Sequence, residues 1–463
     1  MSETSNHLST RREFIVHTGR LAALTALAGT ALPPVHAAGN ETLQLALVGC
    51  GGRGSGAVVN ALSVKGAQTK LVAMADVFPN RLNSSFDNLK KQFAARIDVP
   101  ADRKFVSFDG YKKAMDCLKP GDIVILATPP AFRWVHFDYA IQKGLHVFME
   151  KPVTVDGPTS KRMFALGEAA TRKNLKVGVG LMSRHARTLQ LLRERILNGE
   201  IGEIILQRGY RMHGPVGKFS SLPCPPGQNE LLYQIENFHS FIWASGGNFS
   251  DFYIHIIDHL GWIKNAWPIK AQGLGGRHYR QDLQGRTYVD QNFDIYAVEY
   301  TYADGSKFMF DGRCMTGCQD QYSSYIHGTK GSAIASRSGD CGGPANTFKG
   351  QAPRRSDMIW QSEVKPEEAD PYQNEWNDLI AAIRNDTPYN EVQYGVEASL
   401  VTSMGRMAAH TGQEITYEDM LNCEHEMAPG LDQLTMTSPA PLQAGPDGRY
   451  PVPMPGRNKN REY

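Results

Sequence analysis

The sequence predicts an α/β protein whose first domain is a parallel sheet covered by helices on both faces. Short, continuously apolar segments alternate with helical segments between residues 43 and 180, which is typical of parallel strands buried on both faces. From about residue 185 the apolar residues alternate with polar ones, which predicts an antiparallel or mixed sheet in a second domain. A chain of 463 residues is also long enough for two domains.

The elements of the first domain follow one another at short intervals, and we place this domain at residues 41–182. Connections between parallel strands are right-handed, so this order gives a doubly wound sheet. The predicted strands are 43–48, 70–75, 122–127, 145–149 and 176–180. The predicted helices include residues 57–62, 79–93, 135–143 and 159–173.

The second domain is predicted for residues 183–427. Its predicted strands are 203–212, 271–274, 295–301, 308–313 and 323–327. Its predicted helices are 188–197, 248–262, 375–384, 395–410 and 417–421. Residues 214–232 are rich in Gly, Pro and Ser, which indicates a surface loop. Residues 428–463 are rich in Pro and Gly, and we expect a tail that wraps the surface or contacts a neighbouring subunit.

The composition is that of a soluble globular protein. Hydrophobic residues make up 41% of the chain and charged residues 21%, and the formal net charge is +2. Because there is no basic excess, we expect no nucleic-acid or membrane-surface partner. No later segment predicts a transmembrane helix. The seven cysteines are irregularly spaced, and we expect neither a disulfide framework nor a metal site.

Residues 1–37 have the pattern of a cleavable export signal. The pair Arg11-Arg12 precedes an apolar stretch at 21–32, and small residues before Ala38 fit a cleavage site near Ala37. The apolar stretch is too short to span a bilayer, which needs about 20 residues. The twin arginines indicate the Tat route, so we expect a periplasmic or otherwise exported protein. The alternative is an ordinary secretory signal with an accidental arginine pair.

A Gly-x-Gly-x-x-Gly pattern follows the first predicted strand. It consists of Gly49, Gly51 and Gly54, and Asp76 ends the next strand. This context is typical of a dinucleotide-binding turn, in which the first glycine allows the tight turn, the second admits the pyrophosphate and the third permits close helix packing. A carboxylate at position 76 would bind the ribose 2′-hydroxyl and repel a 2′-phosphate. The pattern therefore predicts NAD, with NADP less favoured.

Other residues are expected to contact the same cofactor because they lie in this turn or follow other strand ends. Ligands of open α/β sheets bind at the carboxyl edge of the strands. Arg81 lies about one turn after Asp76 and would weaken the exclusion of a 2′-phosphate. The remaining candidates for cofactor binding are Gly52, Arg53, Thr128, Pro130, Glu150 and Lys151.

Three side chains are candidates for acid–base chemistry. Lys151 ends a strand in the tripeptide Glu-Lys-Pro, and a partly desolvated lysine beside a nicotinamide can hydrogen-bond or deprotonate a hydroxyl. Asp251 and His255 are four residues apart on a predicted helix and hence on one face. A carboxylate next to an imidazole supports general-base chemistry, although a capping aspartate and a packed histidine give the same pattern.

The order of these motifs resembles the glucose–fructose oxidoreductase/inositol dehydrogenase family (Gfo/Idh/MocA). The resemblance covers roughly residues 42–420 and includes Thr-Pro-Pro at 128–130 and Gly-Gly at 246–247 before the Asp-x-x-x-His pair. It implies a Rossmann domain followed by an α/β domain with a large open, mostly antiparallel sheet, often used to form dimers or tetramers. It also implies that Lys151, Asp251 and His255 meet over the nicotinamide. His255 would be the acid/base, assisted by Lys151, with Asp251 orienting the substrate or the histidine. His136, six residues after Pro130, matches a family histidine and would lie at the cofactor; the alternative is an ordinary histidine near a helix N-terminus.

The resemblance also implies where a substrate binds. Arg184 and His185 follow the strand at 176–180, where family members contact substrate; the alternative is that they form salt bridges. Tyr233 lies in a stretch rich in aromatic and amide side chains, which suits a sugar but also a packed loop. Tyr253 stands where many members have glycine, so we expect it to shape the floor of the pocket.

Three functions are compatible with these residues. The leading hypothesis is an NAD-dependent oxidoreductase of a sugar or cyclic polyol. Because an exported enzyme cannot readily replace released NADH, we expect a tightly bound cofactor that each cycle regenerates. The first alternative is a redox-neutral NAD-dependent glycosidase, in which transient oxidation permits elimination of the aglycone. The second alternative is a non-catalytic sugar-binding protein that keeps the fold.

Overall fold

The computed structural model describes residues 41–339, 341 and 343–463. The predicted export signal and its cleavage site lie outside the described residues. The described part of the chain contains a parallel sheet of six strands followed by a mixed sheet of nine strands. The predicted fold class is therefore confirmed, whereas the domain boundaries stay predictions.

The first sheet has the strand order β3-β2-β1-β4-β5-β6, and all its strands are parallel. Its central strands are buried along their whole length because helices cover both faces. The strands are β1 (Leu43–Val48), β2 (Thr69–Asp76), β3 (Lys104–Val106), β4 (Ile123–Leu126), β5 (His146–Met149) and β6 (Val177–Val179). The helices are α1 (Gly52–Ser63), α2 (Pro79–Gln92), α3 (Gly110–Asp116), α4 (Arg133–Gln142) and α5 (Gly157–Arg172).

The second sheet has the order β14-β13-β12-β11-β7-β10-β9-β8-β15. Only the pair β7–β10 is parallel, so the sheet is mostly antiparallel as predicted. The strands are β7 (Ile204–His213), β8 (Lys270–Gly276), β9 (Ile295–Thr301), β10 (Lys307–Cys314), β11 (Gln321–Gly328), β12 (Ser332–Ser336), β13 (Asn346–Phe348), β14 (Met358–Gln361) and β15 (Ile415–Thr416). The helices are α6 (Arg187–Leu197), α7 (Glu230–Glu236), α8 (Ile242–Ser245), α9 (Gly247–Lys264), α10 (Pro371–Arg384), α11 (Val392–Thr411) and α12 (Tyr417–Asn422).

Two helices, α9 and α11, form the interior of the second domain. Almost every residue of both helices is buried, including most of their polar residues. Phe249 and Tyr253 of α9 pack on Phe310 of the second sheet, and the next turns of α9 carry polar residues on another face. This arrangement places Asp251 and His255 on the side of α9 that faces Lys151.

The segment 428–463 contacts both domains, and near its end a charged side chain enters the core. Glu462 is buried and accepts hydrogen bonds from Arg406 Nε and Nη2, while His410 Nδ1 lies 2.6 Å from Glu462 Oε2. Burial alone would raise the pKa of Glu462, but Arg406 and His410 lower it to about 2. A buried carboxylate is stable only when charged or polar groups bind it, and here Arg406 and His410 do so. Through Glu462 the expected tail is therefore anchored in the core.

Candidate active site

The glycine turn after β1 has the geometry that the fingerprint predicts. Gly49 has a φ of +95°, and an added Cβ would lie 2.6 Å from the carbonyl carbon of Ala127. An added Cβ on Gly54 would lie 2.1 Å from the carbonyl oxygen of Gly49, so α1 packs closely on the turn. Added Cβ atoms on Gly51 and Gly52 would meet no atom within 4 Å. The open side of the turn, at the N-terminus of α1, therefore fits a pyrophosphate.

A cleft of about 910 Å³ lies in front of this turn. Its floor is formed by the glycine turn and by the residues after β2 and β4. Its other side is formed by residues of the second domain that belong to the segment 217–239. We call this segment the cover segment. The cover residues that line the cleft are Gly217, Lys218, Ile235, Glu236, Phe238 and His239.

Asp76 and Arg81 both line the cleft. The carboxylate of Asp76 accepts hydrogen bonds from the main-chain N–H groups of Cys50 (2.7 Å) and Phe78 (2.9 Å). Burial raises the pKa of Asp76, although these hydrogen bonds oppose the rise. Arg81 lies over the ring of Phe78 and donates through Nη2 to the carbonyl oxygen of Glu236 (3.2 Å). Arg81 therefore joins the nucleotide-binding domain to the cover segment.

Thr128 and His136 also line the cleft, and Thr128 Oγ1 lies 3.2 Å from His136 Nδ1. Burial, together with the charge of Arg133, lowers the pKa of His136 to about 3, so this imidazole is neutral. Pro130 is buried, and the cleft is lined by Pro129 instead. The predicted contact is thus displaced by one residue, because Pro130 begins a short helical turn.

Arg53 and Glu150 form an ion pair between the glycine turn and the end of β5. Arg53 Nε and Nη2 donate to Glu150 Oε1 over 3.1 and 2.7 Å, and the guanidinium lies over the ring of Tyr372. Arg53 lines the cleft, whereas Glu150 lies behind it. Glu150 therefore acts on the cleft through Arg53, while the neighbouring Lys151 points toward α9.

Lys151 contacts Asp251, and His255 lies one helical turn after Asp251 on α9, although none of the three is among the residues that line the cleft. Lys151 Nζ donates to the main-chain carbonyl oxygen of Asp251 over 2.6 Å and lies 3.7 Å from Asp251 Oδ1. The peptide bond between Lys151 and Pro152 is cis. Burial would raise the pKa of Asp251, but the charge of Lys151 and the hydrogen bond from His239 lower it, so the carboxylate is ionised.

His255 is a buried, neutral imidazole. Burial lowers its pKa well below the usual value, and the charges of Lys151, Arg211 and Arg53 lower it further. Its Nδ1 is buried without a hydrogen-bond partner among the described residues. A neutral imidazole beside a lysine can accept a proton from a hydroxyl that the lysine holds.

Asp251 does not orient His255, which corrects one of the predicted roles. Its side chain turns away from the next turn of α9 toward two other groups, Lys151 and His239. His239 Nε2 lies 3.4 Å from Asp251 Oδ2. The alternative role, orientation of a substrate, stays a prediction.

The structure places Arg184 and His185 in ion pairs rather than at the cleft. Arg184 donates through Nε and Nη2 to the buried carboxylate of Asp258. His185 Nδ1 lies 2.7 Å from Asp378, and its Nε2 lies 3.1 Å from Glu391. Burial lowers the pKa of His185, but these two carboxylates raise it to about 10. The alternative that Arg184 and His185 form salt bridges therefore describes both residues, because carboxylates bind their polar groups.

Tyr233 and Tyr253 do not line the cleft either. Tyr253 is fully buried, and its ring lies against Gly312 of the second sheet, so it does not form the floor of the cleft. The reason is helical geometry, because residue 253 faces the sheet when residues 251 and 255 face Lys151. The hydroxyl of Tyr233 donates to the carbonyl oxygen of Leu222, which fixes the start of the cover segment.

Sequence reasoning missed His239 as a site residue. The only signal was its place in the aromatic and amide-rich stretch before α9. Lys218 was missed for a similar reason, since its segment reads as an ordinary surface loop. Within the part of the chain that the structure describes, no group of His, Cys, Asp or Glu is arranged to hold a metal ion. No helix of that part is long and apolar enough to cross a membrane.

Residues 43–181 match the family described as "Oxidoreductase family, NAD-binding Rossmann fold" (Gfo/Idh/MocA). This segment is therefore similar to the nucleotide-binding domain of that family. The match includes all six strands of the first sheet and the glycine turn. It confirms the predicted NAD-binding Rossmann domain.

Curated relatives match a part of the chain. Inositol 2-dehydrogenase of Leifsonia xyli subsp. xyli is 32% identical over 155 residues, which are 33% of this chain and 42% of that protein. Inositol 2-dehydrogenase of Corynebacterium glutamicum is 30% identical over 125 residues, which are 27% of this chain and 35% of that protein. The matches thus span less than half of the length of either relative.

Solved structures share the fold of most of the chain. Levoglucosan dehydrogenase, in complex with NADH and levoglucosan, has a TM-score of 0.61 and 16% identity over 81% of this chain and 100% of that one. Aldose–aldose oxidoreductase from Caulobacter crescentus has a TM-score of 0.60 and 14% identity, with the same two coverages. Myo-inositol 2-dehydrogenase from Lactobacillus plantarum has a TM-score of 0.58 and 20% identity. At these identities the likeness is one of fold.

Proposed function

We propose that this protein is an NAD-dependent oxidoreductase that acts on a sugar or a cyclic polyol. The observation that carries the proposal is the contact of Lys151 with Asp251, one helical turn before His255. Asp251 also lies against His239, which lines a cleft whose glycine turn fits a dinucleotide. The names of the relatives support the substrate class, since they include inositol dehydrogenases and a levoglucosan dehydrogenase.

In this proposal each residue of the site has a separate task. Lys151 donates a hydrogen bond to the reacting hydroxyl, and neutral His255 accepts its proton. The bound nicotinamide supplies the hydride acceptor. Asp251 holds Lys151 through its main-chain oxygen and balances its charge. Alignment of these groups with the hydroxyl carbon contributes much of the rate, because reacting atoms held in contact avoid the entropy cost of encounter.

We further propose that the cofactor stays bound between turnovers in an exported enzyme. The cover segment and the Arg81–Glu236 hydrogen bond support this, because a nucleotide in the cleft would leave only after they move. Each cycle would then oxidise one carbohydrate and reduce another. We also propose a dimer or tetramer formed through the second sheet, and the apolar residues exposed on its strands support this. They are Ile205, Leu274, Met309 and Ile359.

Retention of the cofactor also supports a second candidate, redox-neutral cleavage of a glycoside. The same groups would oxidise a sugar hydroxyl, permit elimination of the aglycone and reverse the oxidation after water adds. The two reactions differ in their products. Cleavage of an aryl glycoside without net NADH, with solvent deuterium entering next to the oxidised carbon, would favour the glycosidase.

The test of the proposal uses the purified protein under anaerobic conditions. Mass spectrometry of the nucleotide released by denaturation identifies the cofactor. A panel of aldoses, inositols and anhydro-sugars deuterated at each carbon is then scored for deuterium on that nucleotide. We expect NAD(H) and transfer from at least one carbohydrate. Failure to find or bind a nucleotide would overturn the proposal, and tight sugar binding without transfer would favour a non-catalytic binding protein.

A further inference from the structure

The imidazole of His239 is held in a fixed position between the cover segment and α9. Its ring stacks on Phe252 of α9, with centroids 5.4 Å apart and an interplanar angle of 17°. On the cover side lies Gly217, whose φ is +58° and where an added Cβ would be 2.7 Å from the ring. Asn292 Nδ2 donates to the carbonyl oxygen of His239 over 2.9 Å. The ring therefore has little freedom to turn.

The hydrogen bonds of the ring define where its proton lies. The main-chain N–H of Lys218 donates to His239 Nδ1 over 3.2 Å. A nitrogen that accepts a hydrogen bond carries no proton, so neutral His239 is protonated on Nε2. Nε2 lies 3.4 Å from Asp251 Oδ2. His239 thus presents a donor to the carboxylate that also faces Lys151.

The carboxylate of Asp251 is consequently held from two sides. Oδ1 faces Lys151 Nζ at 3.7 Å, while Oδ2 faces His239. The two groups come from different parts of the chain, since Lys151 follows β5 and His239 belongs to the cover segment, which also lines the cofactor cleft. If the donor at His239 were lost, Asp251 could rotate away from Lys151.

We propose that His239 is a positioning residue of the active site, which aims the Asp251 carboxylate at Lys151 from the segment that covers the cofactor cleft. The inference rests on the proposed function. It differs from the roles assigned to Lys151, Asp251 and His255, because His239 acts through Asp251.

The kinetic test compares two substitutions of this ring. H239F keeps the stack on Phe252 but removes the donor, whereas H239Q keeps a donor in reach of Asp251. The matched control is H278F, which removes an exposed histidine paired with Asp294. The probe is whichever deuterated carbohydrate of the panel reacts with the wild-type protein, and the readouts are single-turnover rate and NADH affinity.

We expect H239F to lower the rate about 10- to 100-fold, the effect of one hydrogen bond to a charged group. H239Q should stay close to the wild type, and H278F should equal it. Because His239 also lines the cofactor cleft, the rates are compared with the nucleotide saturating, so that a change in NADH affinity does not enter them. The inference would be overturned if H239F matched H278F, or if folded H239Q lost as much rate as H239F.

A second measurement does not depend on turnover. In protein labelled with ¹⁵N-histidine, long-range proton–nitrogen NMR reports the tautomer of each imidazole. We expect His239 to be the Nε2–H tautomer, and D251N to shift its nitrogen signals while leaving those of His278 unchanged. An Nδ1–H tautomer, or no response to D251N, would contradict the inference even if the protein transfers hydride. If the NMR signals are as expected but the protein transfers no hydride, the contact between His239 and Asp251 is supported and the proposed oxidoreductase function is contradicted.

Discussion

Lys151 Nζ donates to the main-chain carbonyl oxygen of Asp251 over 2.6 Å, and this bond connects the end of β5 to the middle of α9. The contact joins the nucleotide-binding domain to the second domain at the point where the chemistry is proposed to occur. A main-chain acceptor holds the lysine at a distance fixed by the helix, so its position does not depend on a flexible side chain. The following predictions concern the groups that surround this contact.

Replacement of Gly54 by alanine should damage both the fold and cofactor binding. The added Cβ would lie 2.1 Å from the carbonyl oxygen of Gly49, so α1 must move away from the glycine turn. We expect a loss of about 1–3 kcal/mol in the free energy of unfolding, typical of overpacking, and weaker NADH binding. Urea unfolding and NADH fluorescence titration measure the two effects.

G56A is the matched control for this substitution, since it lies in the same helix and meets only Arg53 Nη1 at 3.6 Å. Alanine is a better helix former than glycine by about 1 kcal/mol, so this variant should be as stable as the wild type or more stable. Equal effects of G54A and G56A would contradict the packing role of Gly54.

Removal of one partner of the Arg184–Asp258 pair should be strongly destabilising. In D258N the guanidinium loses a carboxylate that binds it through Nε and Nη2 in the interior. We expect a loss of about 3–5 kcal/mol, because an unpaired charge remains buried. The exposed pair Arg172–Glu168 provides the control, and E168Q should change the urea midpoint little. A small effect of D258N would indicate that Arg184 is free for another role.

His185 should make the free energy of unfolding depend on pH in the neutral to alkaline range. Its pKa is raised from 6.5 to about 10 in the folded protein by Asp378 and Glu391, against the effect of burial. The resulting stabilisation is fully present below pH 6.5 and is lost as the pH rises through about 10. The difference in unfolding free energy between the wild type and H185Q should therefore shrink over this range. A difference that stays constant with pH would show that His185 is not charged in the folded protein.

Arg81 should slow the release of the cofactor. Its hydrogen bond to the carbonyl oxygen of Glu236 crosses the mouth of the cleft, and R81A removes it. We expect NADH release, followed by displacement with excess NAD, to become several-fold to about tenfold faster. Arg96 donates to the carbonyl oxygen of Leu62 within the nucleotide-binding domain, so R96A is the control and should not change release. If R81A released NADH at the wild-type rate, the hydrogen bond between Arg81 and Glu236 would not restrain the cofactor.

Much of the fold could be predicted from the sequence because most strands show a clear pattern. The strand at 43–48 has the predicted bounds, and Asp76 ends β2 as expected. The strands that were not predicted are short, with two to five residues each, too few to show a clear period; they are β3, β12, β13, β14 and β15. Helix α7 was missed because it is short and follows a loop rich in Gly and Pro.

Site residues could be predicted only where they belong to a recognisable sequence motif. The spacing of Asp251 and His255 identifies a helix face, and the end of β5 identifies Lys151. The partners of Arg184 and His185 are Asp258, Asp378 and Glu391, and the contact of His239 with Asp251 depends on the fold of the cover segment. Such pairings leave no periodic signal, because tertiary structure alone brings these residues together.

The most direct test of the proposed chemistry is the single-turnover rate of deuterium transfer from a reactive carbohydrate to the bound nucleotide in the wild type, K151A and H255A. Because both residues handle the hydroxyl proton, we predict that each substitution lowers this rate by about 10²–10⁴-fold with the nucleotide still bound. Near-normal transfer in both variants would contradict the assignment of Lys151 and His255 to the reaction.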